Sequence, residues 1–447
     1  MTNNDESLRG KQTDYEYADD DKSFKTEHYL VSFFGRMNYT LMDRYMLTAT
    51  IRDDGSSRFK DHWSLFPSVA LAWKIKHESF LKNVEPISDM KLRLGWGKTG
   101  QQDGVSDYGW IHTYSKSVGT NGLYPIYGDG ILYRPDNYTD DLKWETTTTY
   151  NVGLDLGFMD QRLTFAVDYY YRKTTDLLNY AKAPAMSGYK NMMWQNIGSL
   201  KNSGIELAVS WKAVQTKDWF WQIDYNITYN KNEITDLTGA TADGSTIPNT
   251  GIKIGTDKYL EYHQVGHPAN SFWVFQQAYD ENGKALENVV VDRDGDGQIT
   301  NSDRYFYKSP AAPVTMGLSS RLEYKNIDFG FSLRASLGNY VFNNIESGQA
   351  NVQPNEVWSS SNYLSNRPVR SVEDGWQTYT LTAQLSDRYV HNASFLKCDN
   401  ITLGYSFDKF LAGEKYKGIN GRVYATVSNV FTITKYKGLD PEVFSGY

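Results

Sequence analysis

Apolar and polar residues alternate with period two over long stretches of this chain, and this alternation limits the possible folds more than any other feature. Between residues 162 and 172 one set of alternate positions is apolar, namely Leu163, Phe165, Val167, Tyr169 and Tyr171. The pattern returns at Ile205–Trp211 and, after Gln215–Asp218, at Trp221–Tyr229. Such alternation places side chains on opposite faces of a β-strand. Strands of about ten residues with one apolar, aromatic-rich face and one charged face are typical of outer-membrane barrels.

The same pattern predicts about twelve strands along the chain, joined alternately by short turns and long loops. Their predicted bounds are Tyr29–Tyr39, Tyr45–Arg52, Val69–Ile75, Lys91–Gly97, Tyr150–Phe158, Arg162–Arg172, Ile205–Trp211, Trp221–Asn230, Val314–Glu323, Ile327–Gly338, Ile401–Phe407 and Arg422–Ile433. Predicted polar loops include Asp53–Leu65, Thr99–Lys143 and Lys231–Ala312. A β-sandwich or propeller also alternates, but its loops need not be long at every second connection. We therefore predict an all-β fold, an antiparallel transmembrane β-barrel with short periplasmic turns and long extracellular loops, of which this chain carries about twelve strands.

Composition narrows the class of protein. No run of about 18 apolar residues occurs, which excludes a membrane protein built from helices. A mean hydropathy of -0.58 is compatible with a barrel, because only alternate residues of a barrel strand face lipid. The 46 basic and 53 acidic residues give a net charge of -7, which does not favour nucleic-acid binding. The single cysteine, Cys398, cannot form an internal disulfide. A soluble all-β core is an alternative explanation for the many aromatic residues.

One acidic loop has the spacing of a calcium-binding loop. Asp292, Asp294 and Asp296 stand at loop positions 1, 3 and 5, a glycine follows, Gln298 offers a backbone carbonyl at position 7, and Asp303 stands at position 12. Position 12 is Asp rather than the longer Glu, and no amphipathic helices flank the loop. An acidic turn in an exposed loop is therefore the alternative. If calcium binds, we expect it to stiffen a long loop rather than to catalyse.

The sequence gives almost no support for catalysis. Among the histidines only His263 and His267 are four residues apart, and Pro268 argues against a helix there. No nucleophile elbow or phosphate-binding loop occurs, so we do not expect an enzyme. Aromatic residues of the predicted loops could stack on sugar rings, contact a partner or pack within the loops. These residues are Trp110, Tyr114, Tyr124, Tyr127, Trp194, Trp273, Trp358 and Trp376.

Several short motifs resemble the barrel of SusC/RagA-like TonB-dependent transporters, and they occur in the family's order along nearly the whole chain. The motifs are Arg52–Phe59, Phe66–Val69 with Trp73, Lys91–Gly95, Gly97–Gly100, Leu142–Thr147, Asn196–Gly198, Asn202–Glu206, the Asp-Gly-Asp-Gly loop, Ser428–Phe431 and Gly438–Glu442. The resemblance implies an outer-membrane barrel of about 22 strands. It further implies an N-terminal plug, energy supplied through TonB, and a SusD-like lipoprotein that caps the barrel and helps to capture glycans or peptides.

By this resemblance, residues 1–447 would be the C-terminal part of such a barrel, without signal peptide, plug domain or final strand. The polar segment Met1–Lys25 has no apolar core of the kind that a secretory signal requires. The expected location is the cell outer membrane. The expected partners are a SusD-like lipoprotein, the TonB complex through the missing N-terminal part, a glycan or peptide substrate and outer-membrane lipid, with no nucleic acid.

The function expected from this resemblance is TonB-dependent import of a nutrient too large for passive pores. Alternation places one set of charged side chains toward the lumen, namely Asp168, Arg172, Glu206, Lys212, Asp224 and Arg334. Two alternatives stay open at this point. One is a passive porin or adhesin barrel, and the other is a secreted, soluble, calcium-stabilised β protein that binds glycans.

Overall fold

Twelve long strands form one antiparallel sheet in the computed structural model of the chain. The structure describes residues 27–107, 109–111, 114–116, 133–135, 139, 141–182, 192–237, 246–248, 259–348, 369–376, 378–410 and 419–442, so that Met1–Lys25 lies outside it. The strands are β1 (Leu30–Leu41), β2 (Tyr45–Ser56), β3 (Trp63–Lys74), β4 (Ile87–Gln101), β5 (Glu145–Phe158), β6 (Leu163–Thr175), β7 (Ser199–Gln215), β8 (Trp219–Asp236), β9 (Val314–Tyr324), β10 (Ile327–Leu337), β11 (Phe395–Phe410) and β12 (Ile419–Thr434). Each strand pairs with the next, without a crossover.

Shorter elements lie in the connections between these strands. The short strands are Tyr114–Lys116, Tyr133–Pro135, Leu178–Lys182, Met192–Asn196, Thr246–Pro248, Glu261–Gln264, Ser271–Phe275, Gln277–Tyr279, Ala285–Val290, Arg304–Phe306, Tyr340–Phe342 and Val390–Asn392. The helices are Asn344–Gly348, Val369–Asp374 and Leu381–Gln384, with single 3-10 turns at Ile75–His77, Asn301–Asp303 and Asp387–Tyr389. No helix of the described residues is long and apolar enough to span a membrane.

The large sheet has one apolar and one polar face, as the alternation predicts. Val152, Tyr169 and Ile205 lie in register on β5, β6 and β7, and each is about half exposed. Exposed apolar residues continue on the same face as far as Leu403 and Val427 of the last two strands. A continuous apolar face of this size would be unfavourable in water and is favourable against lipid.

The existence of all twelve predicted strands is confirmed, but most of them extend further than predicted. The predicted loop Asp53–Leu65 is wrong at both ends, because β2 continues to Ser56 and β3 begins at Trp63. β3 contains a proline, Pro67. In the structure Pro67 is paired with Ile51 of β2, and the ladder with β4 begins one residue later at Ser68. A proline is tolerated where a strand lacks a neighbour on one side.

Two charged clamps join three strands each on the polar face. The guanidinium of Arg93 on β4 passes over Gly153 of β5 and reaches the Asp168 carboxylate on β6 at 2.8 Å, while it also donates to Asp155 at 2.7–3.1 Å. A Cβ atom on Gly153 would lie 2.7 Å from Arg93 Cζ. In the second clamp the Arg422 guanidinium of β12 donates across β11 to the Asp328 carboxylate of β10 at 2.8 Å. In the first clamp a glycine is therefore needed for close approach rather than for an unusual backbone angle.

The β8–β9 and β10–β11 connections pack together as one body, which we call the loop module (residues 259–308, 338–348, 369–376 and 378–394). Its buried core consists of Leu260, Phe272, Val274, Phe275, Ala285, Val290, Phe342, Trp376, Tyr379, Ala383, Leu385, Tyr389 and Val390. The Phe275 N–H donates to Leu385 O at 3.0 Å, and Tyr305 Oη donates to Asp387 Oδ2 at 2.6 Å. Two segments that are far apart in sequence therefore share one hydrophobic core and a hydrogen-bonded seam.

Candidate functional site

The polar face of the sheet contains a concavity of about 620 Å³ that spans β4 to β11. Small side chains form its floor, among them Ala166, Ala208, Ser210, Ser319 and Ser332. Its charged residues include Asp155, Asp224, Arg334 and Asp399. Because small residues leave space and charged residues offer hydrogen bonds at the edge, the recess can accommodate a polar solute or a polar segment of protein.

The structure places the charged residues predicted for the lumen on this polar face, although in different roles. Asp224 and Arg334 line the concavity, whereas the Asp168 carboxylate is held by Arg93. Glu206 is in register with Asp168. The remaining two predicted residues are Arg172, which lies 5.0 Å from the Tyr170 ring centre, and Lys212, which shares the polar face with Ser210 by alternation.

Several charged residues of this polar face were not predicted from the sequence. Arg334 donates to both carboxylate oxygens of Asp399 at 2.8 and 2.9 Å, and Glu442 bridges Arg334 and Lys397. The residues after β12 therefore fold back over the polar face of β10 and β11. The alternation rule could have found Arg93 and Asp155 on their strands, but no local pattern indicates that Glu442 returns to the sheet.

Three of the predicted calcium ligands come together in the acidic loop. The carboxylate oxygens of Asp292, Asp294 and Asp296 lie within 4.8 Å of one another. Asp292 Oδ1 accepts the Gly295 N–H at 2.7 Å, and its Oδ2 accepts the Gly297 N–H at 2.9 Å. The Asp296 N–H lowers the pKa of the Asp294 carboxyl, but desolvation and the surrounding carboxylates together raise it above its usual value. This group of oxygens suits a hard divalent cation, which would relieve the mutual repulsion.

Asp303 has a different position from the other three carboxylates. It is fully buried, and its oxygens accept the N–H groups of Thr300 at 2.8 Å and Arg293 at 2.7 Å. The Thr300 N–H, followed by the other backbone donors, lowers the pKa of Asp303 despite desolvation. Asp303 thus stabilises the loop backbone, while Gln298 is exposed.

The described loop tryptophans pack within the loops. Trp376 is buried in the loop module, Trp194 packs against the core of Phe59, Phe66, Val105, Leu142 and Trp144, and the Trp110 indole donates to Ser57 O at 3.1 Å. Trp273 lies 3.9 Å from the buried Arg304 guanidinium, and burial lowers the pKa of Arg304 to about 10. Tyr124, Tyr127, Trp358 and the side chain of Tyr114 lie outside the described part.

Motif residues of the resemblance also have structural roles. Phe59 is completely buried, and the Arg58 guanidinium donates to Asp107 Oδ1 at 3.0 Å, which ties the β2–β3 connection to the β4–β5 connection. The Asn196 side chain accepts the Lys143 N–H and donates to its carbonyl, both at 2.8 Å. These motifs therefore position the loops above the sheet.

The two-faced antiparallel sheet with short turns on one side and long loops on the other defines a barrel of outer-membrane type, and the chain belongs to the TonB-dependent receptor family. The family model "TonB dependent receptor-like, beta-barrel" matches residues 2–302. The relatives of the chain include a SusC receptor, in agreement with the sequence motifs that resemble SusC/RagA-like transporters. The chain is 51% identical over 435 residues to the TonB-dependent receptor SusC of Bacteroides thetaiotaomicron, which covers 95% of this chain and 42% of the relative.

Other relatives agree with this assignment. TonB-dependent receptor P3 of Formosa agariphila is 32% identical over 94% of this chain and 42% of its own length. A solved structure of the RagAB peptide transporter superposes with a TM-score of 0.74 at 27% identity, covering 94% of this chain and 45% of that chain. These proteins are named as receptors and transporters, not as enzymes. The chain spans about 42% of the length of the curated relatives.

Proposed function

We propose that the complete protein spans the outer membrane and imports a glycan or an oligopeptide in a TonB-dependent manner, together with a SusD-like lipoprotein. The observation that carries this proposal is the sheet with an apolar outer face and a polar inner face that holds the 620 Å³ concavity. The outer face suits lipid, and the inner face suits a path for polar solutes. Similarity to SusC and to the RagAB peptide transporter supports the substrate classes and the partner.

The location is tested by fractionating the source cells and probing the fractions with an antibody to residues 259–302. We expect the signal in the outer membrane, in a polypeptide as long as the curated relatives. A soluble signal would contradict the proposal and favour the secreted β protein. Loss of uptake of labelled oligosaccharide or peptide after a protonophore is added would separate energised import from passive diffusion through a porin.

Filling the concavity should reduce transport without affecting membrane insertion. Ser332→Trp places a large ring at the floor of the recess, so we expect uptake to fall severalfold because the polar path is narrowed. The measurement is accumulation of labelled substrate in cells that carry the variant. Ser203→Trp is the matched control, since Ser203 lies on the outer face beside Tyr171. Equal uptake by both variants would show that the recess is not on the transport path.

We further propose that Asp292, Asp294 and Asp296 hold a calcium ion. The proximity of their carboxylates supports this, while Asp303 would act through the loop backbone. Terbium luminescence of the purified complete protein should show calcium-displaceable binding that Asp294→Asn with Asp296→Asn abolishes. Asp280→Asn is the control, because the Asp280 carboxylate caps its own turn by accepting the Asn282 and Lys284 N–H groups at 2.9 and 2.7 Å. Binding that persists in the double variant would contradict the proposed site.

A further inference from the structure

A row of lysines crosses the outer face of the sheet at the long-loop side. Lys98 of β4, Thr148 of β5, Lys173 of β6, Lys201 of β7 and Glu233 of β8 are consecutive partners in the strand register. Lys231 lies on the same face two residues before Glu233. We call Lys98, Lys173, Lys201 and Lys231, with Glu233, the basic row. It carries four positive charges and one negative charge.

The basic row lies directly beyond the apolar band. One step closer to the short turns, the corresponding row consists of Trp96, Tyr150, Tyr171, Ser203 and Lys231, and the next consists of Leu94, Val152, Tyr169, Ile205 and Tyr229. Three neighbouring strands therefore carry an aromatic residue at one level, namely Trp96, Tyr150 and Tyr171, and three of the five strands carry a lysine at the next level, namely Lys98, Lys173 and Lys201. Aromatic residues mark the interface of a bilayer, so the lysines lie at the height of the lipid headgroups.

The arrangement of charge in this row is unfavourable without a further anion. Lys173 and Lys201 are directly opposite each other on adjacent strands, where like charges repel. The Glu233 carboxylate forms ion pairs with Lys201 Nζ at 2.8 Å and with Lys231 Nζ at 3.4 Å, so two lysines share this one carboxylate. Neither Lys98 nor Lys173 forms an ion pair with a residue in the described part of the chain. Lys173 is also exposed on the surface of the sheet.

We propose that the basic row binds the phosphorylated headgroup of a lipid in the membrane leaflet on the long-loop side. Lysine ammonium groups interact strongly with phosphate as point charges, and a headgroup phosphate would relieve the repulsion between Lys173 and Lys201. The acyl chains of the same lipid would lie on the apolar band below. A lipid satisfies both parts of the surface, whereas a free phosphate would satisfy only the first. The inference rests on the proposed membrane-spanning barrel.

The test uses the complete protein, purified in detergent and mixed with lipid A that carries its phosphates, or with the same lipid after the phosphates are removed. Native mass spectrometry measures the bound lipid. We expect the phosphorylated lipid to be retained selectively, and the combined variant Lys98→Gln, Lys173→Gln and Lys201→Gln to lower its retention by at least about tenfold, since each basic side chain at a membrane surface contributes substantially.

The matched control removes the same charge at the short-turn side, with Lys82→Gln, Lys217→Gln and Lys325→Gln, and it should retain the lipid as the parent protein does. Equal retention by the two triple variants would overturn the inference, as would equal binding of the dephosphorylated lipid. Displacement of the lipid by inorganic phosphate alone would assign the row to free phosphate instead. If the parent protein is absent from the outer membrane, the proposed barrel fails as well, whereas unselective lipid binding by an outer-membrane protein overturns only this inference.

Discussion

Phe272→Ala is expected to weaken the packing between the β8–β9 and β10–β11 connections in the loop module. The Phe272 side chain is 1% exposed and packs in the core that contains residues of both connections, including Val274, Leu385 and Tyr389. Truncating a buried phenylalanine to alanine costs about 3–5 kcal/mol, because the ring loses its contacts and leaves a cavity. Hydrogen exchange of the complete protein in detergent should show faster exchange in residues 271–290 and also in residues 381–390, which belong to the other connection.

The control for this variant is Tyr279→Ala, which removes an aromatic side chain of the same module that is 49% exposed. It should leave exchange in residues 381–390 unchanged. Exchange in the strands of the large sheet should be the same in both variants, since those strands are held by their own ladders. If Phe272→Ala accelerates exchange only within residues 271–290, the two connections do not depend on a common core.

Gly153→Ala is expected to open the Arg93 clamp and to weaken the sheet between β4 and β6. The new methyl group would lie 2.7 Å from Arg93 Cζ, so the guanidinium must move away from Asp168. Hydrogen bonds to charged groups contribute about 1.5–3 kcal/mol, and because Arg93 is 31% exposed we expect about 1–2 kcal/mol after solvent screening. Urea unfolding of the complete protein in lipid vesicles, followed by tryptophan fluorescence, measures the change in free energy.

Gly95→Ala is the matched control, because it lies on β4 and its new methyl group would meet Asn151 Cβ at an ordinary 3.7 Å. We expect little change in stability from it. In the variant that also carries Arg93→Gln, the Gly153→Ala substitution should have a smaller effect, since the clamp is already lost. Equal destabilisation by Gly153→Ala with and without Arg93 would show that the glycine acts through the backbone instead.

The sequence predicts the strands well where both of their faces have a distinct environment. Within the apolar band, one face meets apolar surroundings and the other meets the polar interior, and the alternation follows directly. Beyond that zone both faces are polar, so the alternation fades although the ladder continues. For this reason β6 extends to Thr175 and β8 to Asp236, past the predicted ends at Arg172 and Asn230.

The candidate sites are predicted only in part. Alternation correctly placed Asp224 and Arg334 on the inner face, but the shape of the recess depends on small residues from several strands that are adjacent only in the folded sheet. The spacing of Asp292, Asp294 and Asp296 in the sequence was enough to predict that their carboxylates lie close together. It does not show that the oxygens of Asp303 are engaged by backbone N–H groups, because the positions of those donors depend on the folded loop.

The shared core of the loop module limits how its two connections can be exchanged between related receptors. Phe275 and Leu385 are joined by a backbone hydrogen bond, and Trp376 donates to Ala285 O at 3.3 Å. In a chimera that receives only one connection from a relative, the side chains of that connection would pack against core residues of the other connection that come from a different protein. Chimeras that receive residues 259–308 and 338–394 from the same donor would retain matched partners. The two connections should therefore be exchanged as a pair, not one at a time.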